Sequence, residues 1–71
     1  MFIGIIKFLI KISPIDMRKS IDGLSCLVKN ELNMSPISNN IFIFFNKFRD
    51  KVKILYWDRN GFIVHYKRLE F

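Results

Sequence analysis

Apolar residues recur with strand-like spacing in four segments of the chain. The first is the N-terminal run Phe2–Ile12, or at least its second half. The other three predict strands at Ile41–Phe45, Val52–Trp57 and Phe62–Lys67. Because the connections between these three are short, neighbouring strands should pair antiparallel as a meander.

One helix is predicted between the first and second strands. Ser13 is a suitable cap, Pro14 suits the first helical position, and Asp16 places negative charge near the positive end of the helix dipole. Arg18 and Asp22 lie four apart on the polar face and should pair. The apolar stripe consists of Met17, Ile21, Leu24, Val28 and Leu32. The sequence therefore predicts an α+β protein with the element order β-α-β-β-β.

The turn of the last hairpin decides which side chains share a face of the sheet. A two-residue turn at Asn60–Gly61 would leave both faces mixed, whereas a three-residue turn with Gly61 in the left-handed region pairs Asp58 with Phe62. The second register is preferred because it predicts an apolar core face of Val52, Ile54, Tyr56, Phe62, Val64 and Tyr66. The opposite face then carries Lys51, Lys53, Leu55, Trp57, Ile63, His65 and Lys67, with Lys53 directly opposite Lys67.

Composition limits the class of protein. A chain of 71 residues forms one small domain, here 1–71. Its 51% hydrophobic content argues against intrinsic disorder. A single cysteine, Cys26, excludes an internal disulfide and fits a reducing cytoplasm.

The charge balance favours a polyanionic partner. Twelve Lys and Arg against six Asp and Glu give a formal net charge of +6, which favours nucleic acid first and an anionic membrane surface second. The plainer alternative is a solvated basic surface. The N-terminal apolar run is interrupted by Lys7 and Lys11 and is too short to span a bilayer. It is interpreted as a buried strand, and no membrane partner is predicted; a membrane-surface role is the distant alternative.

The residues that could perform catalysis are scattered. The chain has no Gly-rich phosphate loop, and the lone cysteine lies on the helix while the lone histidine, His65, lies in a distant strand. The carboxylates are placed at a helix start, on a helix face and at turns: Asp16, Asp22, Glu31, Asp50, Asp58 and Glu70. The sequence predicts no enzyme, no metal site and no cofactor.

Two binding surfaces are predicted instead. The aromatic residues Tyr56 and Trp57 are more often core or interface than base-stacking platforms. The DNA-contacting set is Arg18, Lys19, Lys47, Arg49, Lys51, Lys53, Arg59, Lys67 and Arg68. The residues predicted to contact a protein partner are Leu55, Trp57 and Ile63, because the face that carries them is too apolar to remain exposed to water.

Three strings carry a family resemblance. They are "DMRKSIDGL" at Asp16–Leu24, "FIFFNKFRDKVKILYWDRNGF" at Phe42–Phe62 and "YKRLE" at Tyr66–Glu70. In this order and spacing they resemble the small TnpB accessory proteins of IS-66-type insertion sequences. Family members continue beyond the last string, so the resemblance implies a chain that lacks a C-terminal segment.

The resemblance implies a non-catalytic helper in DNA transposition, encoded beside a separate transposase that cleaves the DNA. Binding to DNA at the element ends and bridging to the transposase are both implied roles. The alternatives are a module that docks on the transposase, and an inactive remnant of a decayed element that self-associates.

Overall fold

The structure is a computed structural model that describes residues 9–70. Within these residues it contains a mixed four-stranded sheet and one helix. The elements are β1 (Leu9–Ile12), α1 (Ile21–Glu31), β2 (Ile41–Phe45), β3 (Lys51–Asp58) and β4 (Gly61–Arg68). The strand order is β1-β2-β3-β4; β1 runs parallel to β2, and the other neighbours are antiparallel. The predicted α+β class and β-α-β-β-β order are confirmed. Residues 2–8 of the predicted first strand lie outside the described residues.

The helix begins later than predicted. Its N-cap is Ser20, whereas the sequence pattern indicated a start at Ser13 and Pro14, whose peptide bond is cis. The backbone N–H of Ile15 donates to the carbonyl oxygen of Phe45 at 2.9 Å, which ties this segment to the end of β2. In a helix that starts at Ser13, the backbone N–H of Arg18 would donate to the carbonyl oxygen of Pro14. It donates instead to the side chain of Asp16, so the helix forms only after this segment.

Asp16 and Arg18 form a local turn in the same segment. The backbone N–H of Arg18 donates to Oδ1 of Asp16 at 2.9 Å, and its guanidinium donates to both carboxylate oxygens. This arrangement, in which a side chain binds backbone two residues on, is typical of Asp in turns. The predicted pairing of Arg18 with Asp22 is wrong, because Asp16 holds the guanidinium.

The core lies between α1 and one face of the sheet. Five side chains in it are fully buried: Leu24, Val28, Phe42, Phe44 and Leu55. The first two belong to the predicted helical stripe, and the others come from β2 and β3. Ile12, Phe62 and Val64 pack against this cluster.

The hairpin between β3 and β4 has a different register from the predicted one. Its turn has two residues, so that Asp58 pairs with Gly61 and Trp57 pairs with Phe62. Arg59 takes the left-handed conformation at φ 56°, and Gly61 does not. The N–H of Asn60 donates to the carbonyl oxygen of Asp58 at 2.6 Å, the hydrogen bond of a three-residue γ-turn.

This slip of one residue changes the faces of the sheet, since strand side chains alternate. Leu55 now lies opposite Val64 on the helix-covered face, and Lys53 lies opposite Tyr66. The predicted core face is therefore divided. Its members on the face away from the helix are Val52, Ile54 and Tyr56, and those on the helix-covered face are Phe62, Val64 and Tyr66. The register prediction failed because both faces of this sheet carry apolar residues.

Within residues 9–70, α1 has 11 residues and is too short to cross a membrane.

Candidate nucleic-acid interface

The connection between β2 and β3, residues 46–50, is here called the tip loop. Asn46 is 9% exposed, and its Oδ1 accepts hydrogen bonds from the backbone N–H groups of Asp50 and Lys51 at 3.1 and 3.0 Å. Its Nδ2 donates to Oδ1 of Asp50 at 2.6 Å. This amide is the main reason that the pKa of the Asp50 carboxyl lies below its ordinary value. One buried side chain thus fixes both ends of the loop.

The tip loop presents two cations and an aromatic ring to solvent. Lys47, Phe48 and Arg49 are all exposed, and the phenyl ring is 79% exposed. Arg49 has φ 57°, in the left-handed region, and its N–H donates to the carbonyl oxygen of Asn46 at 3.1 Å. A non-glycine residue costs about 1 kcal/mol or more there, so the surrounding hydrogen bonds must hold it.

Most of the predicted DNA-contacting residues meet at the tip-loop end of the sheet. Lys51 at the start of β3 lies opposite Arg68 at the end of β4, and Lys67 precedes Arg68. Arg18, Lys47 and Lys51 line one groove. We call this group the basic end; its members are Arg18, Lys47, Arg49, Lys51, Lys67 and Arg68.

Three members of the basic end have a carboxylate neighbour. Arg18 binds Asp16 at 2.7 Å, and this bond is the main cause that lowers the Asp16 pKa from 3.8 to about 2. Lys51 lies 3.6 Å from the carboxylate of Asp50.

The third such pair joins Arg68 to Glu70 at 2.8 Å. Within residues 9–70, Lys47, Arg49 and Lys67 form no ion pair. All three are exposed. These three cations carry the local excess of positive charge, because the other three have an acidic neighbour.

The other three predicted contact residues, Lys19, Lys53 and Arg59, are not members of the basic end. Nζ of Lys53 donates to the carbonyl oxygen of Lys19 at 2.7 Å and lies 5.2 Å from the ring centroid of Tyr66. Arg59 lies beyond the far end of β3, a strand that is roughly 23 Å long by the rise per residue. The predicted opposition of Lys53 and Lys67 is wrong, because these two residues lie on different faces.

The three residues predicted for a protein partner do not form one surface. Leu55 is fully buried in the core, and Trp57 packs edge-to-face on Phe62 with ring centroids 5.0 Å apart. Ile63 lies opposite Tyr56 on the other face of the sheet. The prediction that all three share a face is wrong, for the same reason as the register.

Sequence reasoning missed the two aromatic rings that the fold leaves exposed beside the basic end. Phe48 in the tip loop and Tyr66 on β4, which is 57% exposed, line the same groove. Tyr56 is only 6% exposed, and its hydroxyl is 3.0 Å from Nε2 of His65. Burial is the main cause that raises the Tyr56 pKa. The available signal was an aromatic residue inside a charged turn, "NKFRD", since such a ring has no strand partner.

No group of three or more His, Cys, Asp or Glu suited to a metal ion occurs in the described part of the chain. Cys26 is exposed on α1. His65 is stacked on Tyr56, with ring centroids 5.7 Å apart.

Comparisons with known proteins identify the family. The family model described as "IS66 Orf2 like protein" matches residues 6–71. The chain is 34% identical over 65 residues to an uncharacterized protein, y4jC, of Sinorhizobium fredii, covering 92% of this chain and 56% of that protein. The chain thus spans little more than half the length of this relative. No solved structure gives a significant match. The chain belongs to the IS66 Orf2-like family, the accessory proteins of a type of insertion sequence.

Proposed function

We propose that this protein is a non-catalytic accessory factor in transposition that binds DNA through its basic end and acts beside the transposase of the element. The observation that carries the proposal is the meeting of Lys47, Arg49 and Lys67 at one end of the sheet without a carboxylate partner among residues 9–70. Such cations attract the phosphates of DNA and release the counterions condensed on it.

The tip loop supports the same proposal through its rigidity. Cations on a fixed loop lose less conformational entropy on binding than cations on a mobile one. The three hydrogen bonds of the Asn46 side chain hold the loop in one conformation. The backbone of Lys47 and Arg49 is therefore already fixed before DNA binds.

A titration with a matched pair of variants tests the proposal. Arg49 and Arg59 are both exposed turn residues, with φ 57° and 56°, so that the same change to Glu alters charge and backbone strain equally. Fluorescence anisotropy with a labelled duplex, at about 50 and about 200 mM salt, gives the affinity and its salt dependence.

We expect Arg49→Glu to weaken duplex binding and to reduce the salt slope by about 1, the change for one lost phosphate contact. Arg59→Glu, at the far end of the sheet, should have a smaller effect that reflects net charge alone. Equal losses in the two variants, or an affinity that salt does not change, would contradict the proposal.

A second duplex tests for a role at the element ends. Contacts made to phosphates position a protein on DNA but carry no sequence information directly. The basic end is dominated by Lys and Arg side chains, so we expect similar affinities for a terminal-repeat duplex and a scrambled one. A marked preference for the terminal repeats would require base contacts beyond this surface.

A further inference from the structure

The groove beside the tip loop combines exposed aromatic rings with cations. It has a volume of about 420 Å³ and is lined by Phe48, Tyr66, Lys47, Lys51, Asn46 and Arg18, among others. A phenyl ring that is 79% exposed and a phenol that is 57% exposed contribute little to the core. Their place in one groove is therefore not explained by folding.

Each ring has an ammonium group beside it. Nζ of Lys47 lies 5.9 Å from the ring centroid of Phe48, and Nζ of Lys53 lies 5.2 Å from that of Tyr66. Proteins that bind single-stranded nucleic acid combine a basic groove that follows the backbone with aromatic side chains on which bases stack. In a duplex the bases are already stacked on one another, so exposed aromatic rings in a groove add little to the affinity for a duplex.

We propose that this groove binds unpaired nucleotides of single-stranded DNA, with bases stacking on Phe48 and Tyr66 while Lys47 and Lys51 meet the flanking phosphates. The inference rests on the proposed function and deepens it, because it assigns the strand state of the DNA at the same end of the protein. The charge of the groove supports a polyanion: its lining carries three cations, Arg18, Lys47 and Lys51, against one carboxylate, Asp16, which is bound to Arg18. Asp50, 3.6 Å from Lys51, is not part of the lining.

The test compares a single strand with its own duplex. A labelled oligothymidine and a matching thymidine–adenine duplex are titrated against the protein and against Phe48→Ala and Tyr66→Ala. Loss of one stacking ring should weaken single-strand binding about tenfold, within the range for one base–aromatic contact, and should leave duplex affinity nearly unchanged. Phe48→Tyr and Tyr66→Phe keep a ring and should retain the wild-type affinity.

The outcomes separate this inference from the proposed function. Single-strand binding that is unchanged in both alanine variants would overturn the groove assignment while leaving duplex binding at the basic end in place. Equal losses for both forms of DNA would also overturn it, since stacking on an exposed ring is specific to unpaired bases. The proposed function is tested separately, by comparing the duplex affinities of Arg49→Glu and Arg59→Glu.

A folding control accompanies each variant. Phe48 is so exposed that its truncation should leave the melting transition unchanged. Tyr66 borders Lys53, so the conservative Tyr66→Phe change keeps that ring contact and distinguishes lost stacking from a disturbed sheet. A single-strand defect in Tyr66→Ala alone, together with a lowered melting temperature, would count against a stacking role for that ring.

Discussion

Arg49 and Arg59 have the same uncommon backbone conformation at opposite ends of β3, with φ of 57° and 56°. Each lies in a turn that joins two antiparallel strands, one in the tip loop and one in the last hairpin. Glycine would be the usual residue at either position, because a side chain in the left-handed region is strained. Both turns therefore carry a cation at a cost in stability.

The strain of the left-handed conformation predicts how a glycine at position 59 changes stability. Arg59→Gly should be more stable than Arg59→Ala by about 1 kcal/mol, because both remove the same side chain and only Ala keeps the strain. Urea unfolding of the two variants measures the difference. An alanine variant as stable as the glycine variant would show that the left-handed conformation costs nothing here.

The position of Leu55 predicts a large loss on truncation. Leu55→Ala should lower the free energy of unfolding by about 2–5 kcal/mol, since the side chain is fully buried in the core between α1 and the sheet. Ile63→Ala is the control: that side chain is only half-buried and should cost less. Denaturant titration compares them. Equal losses would indicate that Ile63 is buried as deeply as Leu55, which contradicts the register of the hairpin.

The pair of Asp16 and Arg18 predicts a pH effect below pH 4. The pKa of Asp16 is lowered from 3.8 to about 2 in the folded protein, chiefly by the hydrogen bond from Arg18. A lowered carboxyl pKa contributes stability that is complete above the unfolded pKa and is lost as the pH falls toward about 2.

An NMR titration of the Asp16 carboxyl carbon measures this pKa directly. Arg18→Ala should raise it toward the ordinary value of 3.8. Lys29→Ala, in the last turn of α1, should leave it unchanged, because Asp16 and Arg18 precede the start of the helix. A pKa that stays low without Arg18 would assign the shift to another group.

The tip loop depends on Asn46. Asn46→Ala should cost about 1–3 kcal/mol, because it removes the acceptor of two backbone N–H groups in a largely buried place. Hydrogen exchange at the amides of Asp50 and Lys51 should become faster. In the control, Asp50→Asn, both amides keep their acceptor and should stay protected; rapid exchange in the control would mean that the carboxylate holds the loop.

The strands and the helix were predictable because each depends on local periodicity. The spacing of Leu24 and Val28 indicated the buried side of α1, and the three runs of the meander indicated β2, β3 and β4 to within a few residues. The helix start was predicted too early because the side chain of Asp16 takes the N–H of Arg18 that a helix would use. The same segment is held to the sheet through Ile15 and Phe45, which are thirty positions apart.

The register and the groove were beyond sequence reasoning for a related reason. Arg59 takes the conformation that the pattern assigned to Gly61, and nothing local to the turn indicates this. The groove joins Arg18 to the tip loop and to Tyr66 on β4, so it exists only after distant segments have packed.

The parallel pairing of β1 with β2 sets an order of assembly. The meander is joined by short turns, whereas β1 reaches β2 only after the chain from residue 13 to residue 40 has closed a long loop that contains α1. Contacts that are distant in sequence form later and slow folding. The turn at the tip loop should therefore close earlier during folding than the contacts that place Arg18 in the wall of the groove.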